Sequence, residues 1–226
     1  MITNYLSKAS APDELQLLNW LSPSRKSIRP SLQCDYSKLP RFSFFNKPIT
    51  NKRPSQDINL VEAYNYLTSD FAKPTTEHLR LIQDTKERRL YKSQHFDYCT
   101  FSGIFSYHSD KSLILHSGLI CLDFDHLPAV EATFIELIND RYFETLLLFR
   151  SPSGDGLKWV ISFADSFRRY GSDAESPSEY QARFFPSLFN YIYNHYNVQI
   201  DRNCRNVSRA CYMPYDPNAY ISPSLL

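Results

Sequence analysis

Asp123 and Asp125 close the apolar run Leu119-Ile120-Cys121-Leu122, and further along comes Ser151-Pro152-Ser153-Gly154-Asp155-Gly156-Leu157-Lys158. In a strand, alternate side chains share a face, so the two aspartates point the same way and Phe124 points to the other side. Two parallel carboxylates repel unless a cation sits between them. Mg²⁺ is the natural candidate, because this hard ion is held by one or two carboxylates together with substrate phosphates. The carboxyl end of a buried strand is also where α/β sheets bind ligands. The competing reading is a polar strand end at the surface, since Asp is common there. His126 reads as a local hydrogen-bond partner and stays outside the metal set.

In the second segment, Gly154 and Gly156 permit close backbone approach, their amides can face phosphate oxygens, and Lys158 adds a positive charge. Arg150 either joins that charge or makes a surface salt bridge. The segment is not a Walker loop: GxxxxGK[ST] is absent, and the glycines join two strands with no helix following. The same residue types also build an ordinary hairpin turn. A third segment, Asp201 to Arg209, reads either as a solvated charged loop or as a third carboxylate with Arg205 or Arg209 placed for phosphate oxygens.

Periodicity and turn residues give the elements that must position these segments. A short helix is expected over Asp13–Leu21, then a Ser/Pro/Arg-rich stretch, a strand over Arg41–Phe45 and a loop holding Pro48, Asn51 and Pro54. Organisation changes near residue 57. Leu60, Val61, Tyr64 and Leu67 recur at helical spacing, and a second helix starts near Thr75 and runs through Lys86, Arg88 and Arg89, with Lys92 soon after. Tyr98 to Tyr107 reads as a strand pair bent at Ser102-Gly103, and Ser112–Leu115 leads into the Leu119 strand. Beyond Asp125, Val130, Phe134, Leu137 and Ile138 share a helical stripe, Thr145–Phe149 returns as a strand, and the glycine loop joins it to Leu157–Phe163. Ser176-Pro177-Ser178-Glu179 has capping-box spacing ahead of a helix through Tyr196, and Val198–Asp201 closes the pattern as a last short strand. The order strand, helix, strand, strand, helix, strand is the split β-α-β order of ferredoxin-like or RRM-like sheets.

Composition limits the function classes. With 226 residues, 42% of them hydrophobic and 15% aromatic, the chain can bury a core of one large domain or two interlocked lobes and is no disordered tail. A net charge of only +1 means that contact with nucleic acid must depend on a local basic patch. Cys34, Cys99, Cys121, Cys204 and Cys211 are odd in number and form no CxxC pair, which argues against a zinc site or disulfide framework and for a reducing cytoplasm. No apolar stretch reaches the length of about 18 residues that a membrane span needs, so the expectation is a soluble, cytoplasmic protein with no membrane partner.

Three blocks in order now carry a family resemblance: Leu122-Asp-Phe-Asp-His126, Ser151 to Trp159, and Asp201 followed by Ser208-Arg-Ala-Cys-Tyr-Met-Pro-Tyr-Asp-Pro217. They resemble the three motifs of the archaeo-eukaryotic primase superfamily, the primase-polymerases, and within it the VirE-like primase domain at the N-terminus of mobile-element and phage-type helicase-primases. Glu87 to Lys92, Thr100 to Phe105 and His116 to Leu119 are similar to that branch as well, so the resemblance covers roughly residues 57 to 220. It implies an α/β (α+β) fold in which an RRM-like palm, about residues 116–220, packs against an N-terminal α/β lobe, about 57–115, with residues 1–56 as an extension. It further implies that Asp123, Asp125 and Asp201 are catalytic metal ligands for Mg²⁺ or Mn²⁺ in a two-metal mechanism. Ser153, Gly154, Gly156, Lys158 and Arg209 would bind nucleotide, with Lys92 as a further phosphate or template contact.

The implied activity is nucleotidyl transfer from nucleoside triphosphates to a primer on a single-stranded DNA template, in mobile-element or phage-like replication. No Walker motif is present, so unwinding would need a helicase domain or partner. The chain departs from the superfamily at Lys158, where histidine is usual; lysine offers a point charge and no neutral imidazole. Two other readings stay open: a catalytically weak nucleotide- or DNA-binding module of the same fold, and a metal-dependent nuclease. Relaxase-type nicking needs a histidine pair, and no HxH occurs here.

Overall fold

Phe42-Ser43-Phe44-Phe45 forms strand β1 (Phe42–Phe45) in the computed structural model, which describes residues 39–226. The expected helix over Asp13–Leu21 lies outside the described residues. Strand β1 runs antiparallel between β2 (Gln56–Ile58) and β3 (Tyr98–Thr100), with Phe42 and Phe45 fully buried. A boundary near residue 57 therefore falls inside a sheet, and residues 42–56 belong to the lobe. Helix α1 (Leu60–Thr68) starts at a capping box in which Asn59 and Glu62 satisfy each other's backbone N–H groups.

The single helix expected from Thr75 onward is two, α2 (Lys73–Leu81) and α3 (Thr85–His95). Ile82 is extended, and the Asp84 carboxylate accepts the Glu87 N–H at 2.8 Å, which restarts the helix in a new direction. Strands do form on either side of Ser102-Gly103, but they do not pair with each other. Whereas β3 stays in the lobe sheet, β4 (Gly103–Phe105) pairs with β5 (Leu113–His116).

The second half begins with β6 (Leu119–Phe124), then α4 (Val130–Ile138), β7 (Leu147–Arg150) and β8 (Leu157–Ser162). Helix α5 (Ala164–Tyr170), which the sequence pattern does not announce, precedes α6 (Pro177–Tyr196) with its Ser176/Glu179 capping box. The strands β6, β8 and β7 lie side by side, all antiparallel, in the order of a split β-α-β sheet. Val198–Asp201 is not a strand. One backbone hydrogen bond, from the Asp201 N–H to the Asp123 carbonyl at 2.9 Å, draws it alongside β6 before a 3₁₀ turn at Arg202–Arg205. The tail then supplies β9 (Cys211–Tyr212) to β3 and β10 (Tyr220–Ile221) to β7, so it stitches the two sheets together.

Both faces of β6 are apolar because both are covered. Ile120, Leu122 and Phe124 pack with Leu157, Trp159 and Ile161 against α4 and α6. On the opposite face, Leu119, Val160, Leu147 and Phe149 meet Phe42, Phe44 and Phe101 of the lobe and Met213 of the C-terminal tail. By strand alternation Asp123 and Lys158 lie on this lobe-facing side, in the seam between two apolar layers. Gly156 brings the β7–β8 turn against the end of β6: a Cβ there would stand 2.1 Å from the Phe124 carbonyl oxygen. Gly156→Ala is expected to destabilise the fold by about 1–3 kcal/mol through overpacking, measurable as a lower urea midpoint.

His116 ties the lobe to α6. Its Nδ1 accepts the Gly118 N–H at 3.0 Å and its Nε2 donates to Gln181 Oε1 at 3.0 Å, which fixes the neutral tautomer. Burial lowers its pKa from 6.5 to about 4, against the opposing pull of Gln181. Below pH 6.5 the unfolded chain therefore takes up a proton that the native side chain refuses, and stability falls until the native pKa is reached. The stability advantage of the native chain over His116→Gln should shrink by up to about 3 kcal/mol between these two pH values, as followed by urea unfolding.

Candidate functional site

Asp123 on β6 and Lys158 on β8 are directly opposed in the strand register. They form an ion pair, each residue only 7% exposed. Arg209 pairs with Asp201 and places its Nη2 3.6 Å from Asp123 Oδ2. Burial works against the charge on Lys158, but Asp123, joined by Cys211 and Cys121, offsets it, so the ammonium titrates above the ordinary lysine range. Arg209 follows the same logic, with desolvation opposed mainly by Asp201. The other Asp201 oxygen, Oδ1, accepts from the backbone and side-chain nitrogens of Asn203, both at 2.9 Å.

Asp125 stands one residue past the end of β6, exposed at the rim. Local desolvation and then the negative charge of Asp123 hold its carboxyl above the usual range, while Lys158 and Lys92 pull the other way. His126 bonds Asp155 at 2.8 Å through Nδ1, the local role expected of it. Arg150 is a structural salt bridge: it joins Glu131 at 2.9 Å and Asp216 at 3.2 Å and lies over the Phe134 ring.

The glycine loop departs from expectation in one respect. The Gly154 N–H is spent inside the turn, donated to the Ser151 carbonyl at 2.9 Å, and its φ of 83° faces Arg80, which donates to the Pro152 carbonyl at 3.3 Å. The two glycines serve close packing rather than lining the opening; neither reaches the cavity.

That cavity, of 680 Å³, opens where the lobe meets the split β-α-β sheet. Of the residues expected from sequence, Asp123, Asp125, Ser153, Lys158, Arg209 and Lys92 line it, and Asp201 does not. Sequence reasoning missed Thr85, Arg88 and Arg89, which with Lys92 recur at i, i+3, i+4 and i+7 along α3 and so share one face. That spacing was the available signal. Asn203, Asn206, Ser208 and Tyr212 complete the wall. Arg88, Arg89, Lys92, Lys158 and Arg209 outnumber Asp123, Asp125 and Asp155, so the lining is net positive although the chain is nearly neutral. Among the described residues, no three His, Cys, Asp or Glu side chains gather as a metal-ligand group. Arg209 and Asn203 hold the Asp201 oxygens, while Lys158 pairs with Asp123 Oδ1 and Arg209 stands 3.6 Å from Asp123 Oδ2.

The molecule is thus an α+β protein whose split β-α-β sheet packs against an N-terminal lobe, with a cation-rich cavity at their junction. Residues 91–221 match the sequence profile of the BT4734-like N-terminal domain family, and the chain belongs to that family. Comparison with curated proteins and with solved structures finds no match. Among the described residues, no helix is long and apolar enough to cross a membrane.

Asp123→Asn would leave the Lys158 ammonium buried beside a neutral amide. The expected cost is about 3–5 kcal/mol in urea unfolding, and the double replacement Asp123→Leu with Lys158→Met should recover most of it.

Proposed function

We propose that this chain is a primase-polymerase-like nucleotidyltransferase domain of the superfamily its three motif blocks resemble. It binds a nucleoside triphosphate with a divalent cation and extends primers on single-stranded DNA, in the cytoplasm, alongside a helicase domain or partner. One observation carries the reading: Asp123 and Asp125 share a single cavity with five lysine and arginine side chains.

The donor set fits one Mg²⁺ or Mn²⁺. Asp125 has no hydrogen bond or ion pair among the described residues, and Asp123 Oδ2 has only Arg209 at 3.6 Å, so these two carboxylates would hold the ion together with substrate phosphates. When bound, such an ion would acidify the attacking 3′-hydroxyl and draw charge from the phosphates. Lys158 holds the Asp123 carboxylate in place. Fixed cations in a partly desolvated cavity stabilise charge that develops on phosphate oxygens without reorganising.

A second reading, a nucleotide- or DNA-binding module with weak chemistry, is favoured by the ion pair between Lys158 and Asp123, which competes with a metal for that carboxylate. Incorporation of labelled nucleotide with Mg²⁺ or Mn²⁺ separates the two. The native chain is expected to extend a primer, and Asp125→Ala to lose about 100-fold in rate while still binding triphosphate. Asp125 is chosen because its exposure uncouples it from folding. Triphosphate binding without extension by the native chain supports the second reading, and cleavage of the DNA in place of extension supports a nuclease.

A further inference from the structure

We infer that the face of α3 carrying Arg88, Arg89 and Lys92 grips the phosphate tail of the nucleoside triphosphate, the role that motif resemblance assigns to Lys158. The inference rests on the triphosphate-binding reading above and names which residues recognise that part of the substrate.

Charge accounting decides between the two sets of cations. Lys158 and Arg209 are already neutralised, one by Asp123 and the other chiefly by Asp201. Arg88, Arg89 and Lys92 line the same cavity, yet none of the three makes an ion pair among the described residues. They come from one stripe of one helix, so their charges add over a short distance.

Hydrogen bonding points the same way. Among the described residues, four buried side-chain nitrogen or oxygen atoms lack a hydrogen-bond partner: Arg88 Nε, Ser151 Oγ, Arg209 Nε and Asp123 Oδ1. All four belong to residues lining this cavity, and only Asp123 Oδ1 has another partner, the Lys158 ammonium. Ser151 is 5% exposed, so its hydroxyl is an unpartnered donor in a closed place. Buried donors without acceptors are costly, and a chain of phosphate oxygens would satisfy Arg88 and Ser151 together. Desolvation and the neighbouring Lys158 charge lower the pKa of Lys92, against the opposing pull of Asp125 and Asp155. Three unpaired cations suit a run of phosphates better than a single phosphate ester.

Titration calorimetry on the whole chain with inorganic tripolyphosphate, a nucleoside triphosphate, the matching monophosphate and a single-stranded oligonucleotide tests this. Arg88→Gln should weaken tripolyphosphate and triphosphate binding about tenfold or more, leave the monophosphate nearly unchanged and leave the urea midpoint in place. Arg88→Lys should restore part of the loss, since the charge returns without the fork. The inference falls if Arg88→Gln and Arg89→Gln leave tripolyphosphate affinity intact while Lys158→Gln abolishes it, or if the loss is confined to the oligonucleotide. A native chain that binds neither tripolyphosphate nor triphosphate would overturn the inference together with the reading beneath it.

Discussion

A lysine and an aspartate that face each other across β6 and β8, where two apolar layers give way to the cavity, set the terms for everything around them. A charge in such a seam is tolerated only when it is paired, because the desolvation cost of a lone ion exceeds what packing returns. Asp123 has two cationic neighbours and Lys158 has one acid, and that arithmetic explains why Arg209 must arrive with its own aspartate. The segment carrying Asp201 is fastened to β6 by a backbone hydrogen bond, and the tail beyond Arg209 runs on as β9 into the lobe sheet. The cluster is therefore also the place where the second half of the chain is tied to the first.

From this constraint follows the position of the cavity. The two sheets can close over Leu119, Val160 and Phe149, where both sides are apolar, but not over charged groups at the ends of β6 and β8. The opening left there collects what each half offers: carboxylates at the end of β6, amide and hydroxyl groups from the turn after Asp201, and a basic helix face from the lobe. Net charge over the whole chain is a poor guide to such a place. Local geometry concentrates five cations in a chain whose total is +1. Field strength in a partly desolvated cavity depends on that concentration rather than on the sum.

The same cluster bears on chemistry. Lys158 is paired with Asp123, so its charge is already engaged by the acid across the strand pair. Among the described residues, Arg88, Arg89 and Lys92 on the lobe's helix α3 make no ion pair. Division of labour between the halves is the physical content of the proposed function: palm acids for the cation, lobe cations for the phosphates.

Much of the fold was legible in the chain itself. The alternation and apolar runs of β6 and β8, the stripe of α4 and the capping box before α6 all depend on residues within a few positions of one another, and all are found near where the sequence places them. Asp123 and Asp125 at one strand end, and the tight turn that needs Gly156, were equally readable, because backbone geometry alone dictates them. What the sequence could not decide were the long-range partnerships. Nothing local says that Phe42–Phe45 is an inner strand, that two-residue strands near the C-terminus join separate sheets, or that the Gly154 amide is consumed within its turn. Least of all could it say which cation neutralises Asp123 or that Asp201 pairs with Arg209 and Asn203. Periodicity and caps are properties of neighbours in the chain. The pairing of buried charges is settled only when distant strands meet, since the desolvation that makes one pairing better than another does not exist until then.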